Sequence, residues 1–132
     1  MITSEIIKIA SNTRNVGCTN KYNYKSNIKN PLCGDKIKIE LKVKKTKIYS
    51  MKYETESCVY CEASASLLAK KIKNIEIYAA QKQLNLLKKV LKNEKIKFPK
   101  HFQDFKILIN KKNLNRINCI NLPFDAVLKA LK

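Results

Sequence analysis

The sequence predicts an α+β fold, a three-stranded antiparallel sheet with helices packed against it. Three observations predict it. Ile37, Ile39, Leu41 and Val43 alternate strictly with charged residues, the period of a half-buried strand. A second run of similar period follows the short Lys44-Lys45-Thr46 turn, whose length suits a hairpin. From about Cys58 onward the apolar spacing turns helical. Strands followed by a run of helices mark an α+β domain. With 132 residues, 45% of them hydrophobic, the chain can bury one modest core. No internal repeat and no linker divides it, so residues 1–132 read as a single domain.

Each element has its own signal. Ile6, Ile9 and Ala10 share a face of a short helix over Ser4–Ala10. Residues 11–17 read as a loop. Tyr22, Tyr24 and Ser26 alternate with polar residues, as in an edge strand. Lys36–Lys44 is the clearest strand. The next covers residues 47–55, with Tyr49, Met51, Tyr53 and Thr55 on one face and Ile48 on the other. A helix begins near Cys58–Glu62 and runs to about Lys73; its early residues Ala63, Ser64 and Ala65 are small enough for close approach. A second helix spans residues 79–93, with Leu84, Leu87, Val90 and Leu91 as its apolar stripe. After Pro99, Phe102, Phe105 and Ile107 to Ile109 suit a short helix. Residues 111–118 read as a polar connection. The last helix starts near Pro123, a residue suited to a first turn, and buries Phe124, Val127, Leu128 and Leu131.

The formal net charge of +18 invites a nucleic-acid partner. Two features weigh against a specific one. Lys, Asn and Ile are abundant together, the mark of AT-rich codons, and the lysines are scattered from Lys8 to Lys132. Sequence-reading and strand-binding grooves instead use arginines and stacked aromatics. The exceptions to the bias are informative. The two arginines are Arg14 and Arg116, the two glycines Gly17 and Gly34, the three prolines Pro31, Pro99 and Pro123. All but Pro99 fall within a few residues of Cys18, Cys33 or Cys119.

No apolar run reaches membrane-spanning length, and residues 1–5 lack the basic and apolar segments of a signal peptide. A cytoplasmic location with reduced thiols is the expectation. The cysteines number five, Cys18, Cys33, Cys58, Cys61 and Cys119. An odd count in a reducing compartment favours metal binding or reactive thiols over disulfides. In Asn30-Pro31-Leu32-Cys33-Gly34-Asp35, Pro31 fixes its φ and Gly34 can take φ > 0, so a thiol and a carboxylate can point at one ion. A turn that happens to carry a cysteine is the plain alternative. Cys33 precedes a strand, while Cys58 and Cys119 precede helices, whose N-termini favour thiolate. Three thiolates with Asp35 fit tetrahedral zinc or one edge of an iron–sulfur cluster. Cys58-Val59-Tyr60-Cys61 also reads as C-x-x-C, a weak signal without a second pair or a βαβ context. His101 is the only histidine and reads as a surface residue, so no Ser-His-Asp set is built. No phosphate-binding glycine loop is present.

These motifs resemble the IscU/SufU/NifU N-terminal iron–sulfur scaffold family over most of the chain. Asn12-Thr13-Arg14-Asn15-Val16-Gly17 resembles its Asn-Pro-Arg-Asn-x-Gly loop, with Thr13 in the proline's place. Residues 30–35 match its Asn-Pro-x-Cys-Gly-Asp. Cys58 with Ala63-Ser64-Ala65-Ser66 resembles the second cysteine segment, and Arg116-Ile117-Asn118-Cys119 with Leu122 the third. The resemblance implies that Cys33, Asp35, Cys58 and Cys119 are the cluster or metal ligands, and gives Cys18 and Cys61 no role. It implies a scaffold rather than an enzyme. Such a scaffold accepts sulfur from a cysteine desulfurase, builds a transient [2Fe-2S] cluster and passes it to recipient apoproteins. Two departures point to the SufU-like members. Asn118 stands where IscU has a histidine, and Leu-Pro-Pro-Val-Lys is missing, so no dedicated Hsp70 chaperone is expected. The stretch of about sixty residues between Cys58 and Cys119 also matches SufU. Zinc with sulfur transfer is then the alternative occupant and activity. A basic nucleic-acid-binding module is the reading from another class.

Overall fold

Strict alternation over Lys36–Lys44 folds into the central strand, β2. It pairs antiparallel with β1 (Tyr24–Lys29) and β3 (Lys47–Glu56) in the order β1-β2-β3. The structure is a computed structural model and describes residues 2–92 and 95–132. Ile37, Ile39 and Leu41 are buried as expected, but Val43 is only half-buried. The register explains it: Lys42 pairs with Ser50, whereas Val43 pairs with Ile48, leaving Tyr49 unpaired. One extra residue in a ladder inverts the inside-outside order beyond it. Accordingly Ile48 and Met51 are both buried and Tyr49 is exposed, against the expectation that Tyr49 shares a face with Met51 and Tyr53.

The β2–β3 hairpin turns through Lys45 and Thr46, at φ 52° and 66°. Two-residue hairpin loops of this hand normally use Asn or Gly, since positive φ costs other residues about 1–2 kcal/mol each. The turn is held from outside. Thr46 accepts a bond from the Ile77 N–H at 2.9 Å, and the backbones of Ile48 and Ile75 are bonded at 2.8 Å.

The loop before β1 is ordered by the sheet. Gly17 donates to the Tyr53 carbonyl and Asn15 accepts from the Tyr53 N–H, covering the outer edge of β3. The chain then crosses the sheet. The Cys18 N–H donates to Glu54 at 2.8 Å, and the Thr19 and Asn20 N–H groups donate to Glu40 at 2.7 and 3.0 Å. Glu40 is only 2% exposed, a buried carboxylate that the alternating pattern would place in water.

Helix α1 (Ser4–Ala10) is capped by Thr3, whose hydroxyl accepts from Ile6 N–H. Helix α2 (Val59–Lys71) is buried along nearly its whole length and packs on α1 and β3. Helix α3 (Ile77–Leu87) begins and ends before the predicted span; Val90 is buried beyond its end, and the predicted terminus Asn93 lies outside the described residues. Short 3-10 segments follow at Lys100–Ile107 and Lys111–Arg116. The second replaces the expected polar connection.

Helix α4 (Ile117–Ala130) starts six residues before Pro123, correcting the expectation that Pro123 opens it. The apolar positions Ile120, Leu122, Phe124, Val127 and Ala130 form one buried surface on both sides of the proline. That continuous burial outweighs the loss of one backbone bond. The bond lost is the one the Cys119 carbonyl would accept from residue 123. Helix α4 packs on α2, β1 and β2. Two serine hydroxyls hold it: Ser26 donates to the Ala126 carbonyl and Ser64 to the Ile120 carbonyl, both at 2.6 Å. Phe105 lies 5.9 Å from Phe102 and 5.1 Å from Phe124, tying the 3-10 segment to the core. Among the described residues no helix is long and apolar enough to cross a membrane.

Candidate metal centre

The turn ahead of β2 is built from its own backbone. Asn30 Oδ1 accepts from the Leu32 N–H at 2.9 Å, and the Asn30 carbonyl accepts from Gly34 at 2.8 Å. Gly34 has φ 76°, with nothing within 4 Å of the position a Cβ would take. Glycine serves the backbone there, not a lack of space. The turn leaves Cys33 exposed and Asp35 buried.

Asp35 joins this turn to α2. Its Oδ1 accepts from the Cys58 N–H at 3.3 Å. Cys58 is the N-cap of α2, and its side chain makes no capping bond, so the thiol is free to face other groups. Cys119 is the third residue of α4, correcting the expectation that it precedes the helix. Its Sγ lies 3.6 Å from Cys33 Sγ. One donor atom each from Cys33, Asp35 and Cys119 lie within 4.8 Å of one another. Cys58 falls outside that tight set, though the Asp35 carboxylate it shares with the turn through its N–H holds it beside the group. Burial first, then the neighbouring Cys33, Cys58 and Asp35 side chains, push the Cys119 thiol above its ordinary value.

The other two thiols differ in kind. Cys18 sits on the far side of the sheet beside the Lys38 carbonyl, 3.9 Å away. Burial, then Glu40 and Glu54, push it up to about 11. Cys61 is wholly buried in the core. Burial pushes it up to about 12, with the charges of Asp35, Cys58 and Cys33 adding to the shift. Cys61 therefore flanks the site. His101 is exposed and takes no part.

Two supporting contacts escaped the motif reading. The Arg116 guanidinium lies over the Tyr60 ring, 5.8 Å from its centre, clasping the starts of α4 and α2 together. Ser64 fixes the first turn of α4 through Ile120. The scarcity of arginine was the available signal for the first; for the second, the Ala63-Ser64-Ala65-Ser66 motif marked Ser64 without naming its partner.

The donor set can be tested against a cation. Asp35 Oδ2 is buried and, among the described residues, has no hydrogen-bond partner. A buried carboxylate oxygen left unpaired is unfavourable, and a cation beside the sulfurs relieves it. Soft thiolates with one carboxylate oxygen suit zinc and iron. The α2 and α4 N-termini add partial positive charge that favours thiolate.

A family model, NifU-like N terminal domain, matches residues 1–131. The fold is similar to the N-terminal part of a nitrogen-fixing NifU-like protein from Brucella abortus, with a TM-score of 0.86 at 21% identity, covering 98% of this chain and 90% of that one. It is also similar to a protein from Fervidobacterium islandicum described as an iron–sulfur cluster assembly scaffold for the SUF system. There the TM-score is 0.88 at 20% identity, covering 99% and 96% of the two chains. No curated protein sequence matches significantly.

Proposed function

Since the chain belongs to the NifU-like N-terminal domain family, we propose that it is an iron–sulfur cluster assembly scaffold whose site is Cys33, Asp35, Cys58 and Cys119. The observation that carries this reading is the convergence of Cys33, Asp35 and Cys119 within 4.8 Å around a buried, unpartnered carboxylate oxygen. Sulfur arrives as a persulfide from a cysteine desulfurase. A site thiolate attacks the sulfane sulfur, which passes to the scaffold while the donor leaves as a thiolate. Iron and electrons arrive separately, the electrons reducing the sulfane sulfur to sulfide, and the [2Fe-2S] unit so formed is cargo released to recipient apoproteins. The mixed donor set suits release. A carboxylate oxygen holds iron less tenaciously than a fourth thiolate does, and Cys33 is exposed.

The SufU resemblance supports a second reading. In it, Cys33, Asp35, Cys58 and Cys119 hold zinc, which keeps the thiols ionised, and the protein relays sulfur. Anaerobic purification followed by iron, zinc and acid-labile sulfide analysis separates the two. Brown protein with matching iron and sulfide is the expected outcome for the scaffold. Colourless protein with one zinc per chain supports the relay. Protein that binds neither metal after reconstitution overturns both.

A further inference from the structure

Cys61 is not among the proposed ligands, yet it flanks them. It is the third residue of α2, and Cys58 is the N-cap, so the two lie one turn apart at the helix start. The Glu62 N–H bonds to the Cys58 carbonyl at 3.1 Å, which closes that turn around both cysteines. Residues three apart on a helix have Cβ atoms roughly 5–6 Å apart. A disulfide needs about 4 Å, a shift within reach of a first turn whose N-cap is already extended. The two thiols are also unequal. Cys58 is half-buried and open to the site, whereas Cys61 is wholly enclosed.

We propose that Cys58 and Cys61 form a redox dithiol that releases sulfane sulfur held on Cys58 as sulfide. The inference rests on the reading that the site accepts persulfide sulfur. A sulfur added to half-buried Cys58 has room only on its open side, while Cys61 is enclosed in the core. The enclosed thiol therefore meets the inner sulfur. The Cys61 proton passes to the anionic terminal sulfur of the persulfide as the Cys61 sulfur attacks Cys58 Sγ. A Cys58–Cys61 bond forms as the bond from Cys58 to the sulfane sulfur breaks, and that sulfur leaves with the electron pair as hydrosulfide. The dithiol gives up two electrons and the sulfane sulfur takes them, so no outside reductant enters the step. An external thiol then reduces the disulfide before the next round.

The test loads the full chain with inorganic polysulfide under anaerobic conditions, removes the excess, and omits reductant. Released sulfide is measured, and peptides are mapped by mass spectrometry. Wild type is expected to release about one sulfide per persulfide on Cys58 and to carry a Cys58–Cys61 disulfide. Cys61→Ser should keep its persulfide and release less than about a tenth as much. Because a hydroxyl fits poorly in that enclosed slot, Cys61→Ala is run beside it, with circular dichroism to confirm folding. The dithiol is overturned if wild type retains a stable persulfide on Cys58, if sulfane sulfur loads only elsewhere, or if the disulfide joins another pair. Zinc and iron binding are measured on the same wild-type sample. Intact metal binding with failed sulfide release removes the dithiol alone, whereas lost metal binding removes the scaffold reading.

Discussion

Cys33 and Cys119 stand 86 positions apart in the sequence, yet their sulfurs lie 3.6 Å apart. A turn before β2 supplies one and the first turn of α4 the other, so the pair exists only once the sheet and helices have packed. Removing one thiolate from such a site removes most of the binding. Cys33→Ser, Cys58→Ser and Cys119→Ser should each abolish stoichiometric zinc or reconstituted cluster, while Cys18→Ser keeps it. Cys58→Ser is the deciding variant, because Cys58 lies outside the tightest group of donors. Full metal content in that variant would remove Cys58 from the ligand set.

The fold was legible where one physical signal dominated. The alternation of Ile37, Ile39 and Leu41 named β2, and helical spacing named α2 and α4. It failed where a local irregularity reset the pattern. The bulge at Tyr49 has no marker in composition, so the period-2 reading ran straight through it. Pro123 misled for a different reason: burial of Ile120, Leu122 and Phe124 outweighed the preference for proline at a helix start. The turn of residues 30–35 was legible because proline, glycine and Asx chemistry act locally. The burial of Glu40 was not, because the N–H groups that satisfy it come from a loop crossing the sheet.

The buried thiols set an alkaline limit on the metal-free protein. Cys61 rises from 9.0 to about 12 on folding, and Cys18 from 9.0 to about 11. The folded state thus holds these protons more tightly than the unfolded chain. Stability is fully present below pH 9 and falls as pH rises, because the unfolded state ionises first. Chemical denaturation between pH 8 and 11 should show a decline beginning near pH 9. Cys61→Ala should flatten that decline. A wild-type profile that stays level to pH 11 would contradict the burial of these thiols.

Glu40 holds Thr19 and Asn20 of the crossing strap through their backbone N–H groups. Glu40→Ala leaves those donors without their acceptor and opens space under the strap. Unpaired buried polar groups cost about 1–3 kcal/mol, so the midpoint of urea unfolding should fall accordingly. Hydrogen exchange should speed up at Thr19 and Asn20. Unchanged exchange there would mean that the strap is held by other contacts.

Nucleic-acid binding should be weak and indifferent to sequence. The outer face of the sheet mixes charges: Lys38 pairs across strands with Glu54, Lys25 with Glu40, and Lys36 lies 3.9 Å from Glu56. Non-specific complexes have dissociation constants of about 10⁻⁴–10⁻⁶ M at physiological salt. Titration into duplexes of different sequence should give values in that range, weakening steeply with salt. A tight and selective complex would return the basic-module reading to consideration.

Asp35 carries two separable tasks, one on each oxygen. Oδ1 accepts from the Cys58 N–H, and Oδ2 is buried without a partner. Asp35→Asn can keep the first while putting an amide NH2, which donates and has no lone pair to offer a cation, in place of the second oxygen. The metal-free variant should therefore fold with a melting temperature equal to or above wild type, since an unpaired buried carboxylate oxygen is gone. Its zinc affinity should fall by at least about tenfold. Asp35→Cys runs the other way, adding a fourth soft ligand in place of a hard one. It should bind zinc or cluster, yet release zinc to a chelator, and cluster to an apoprotein, more slowly than wild type. Chelator-competition rates on the three proteins measure this directly. Wild-type affinity in Asp35→Asn would show that the carboxylate only orients Cys58. Release from Asp35→Cys as fast as from wild type would show that the oxygen ligand does not govern lability.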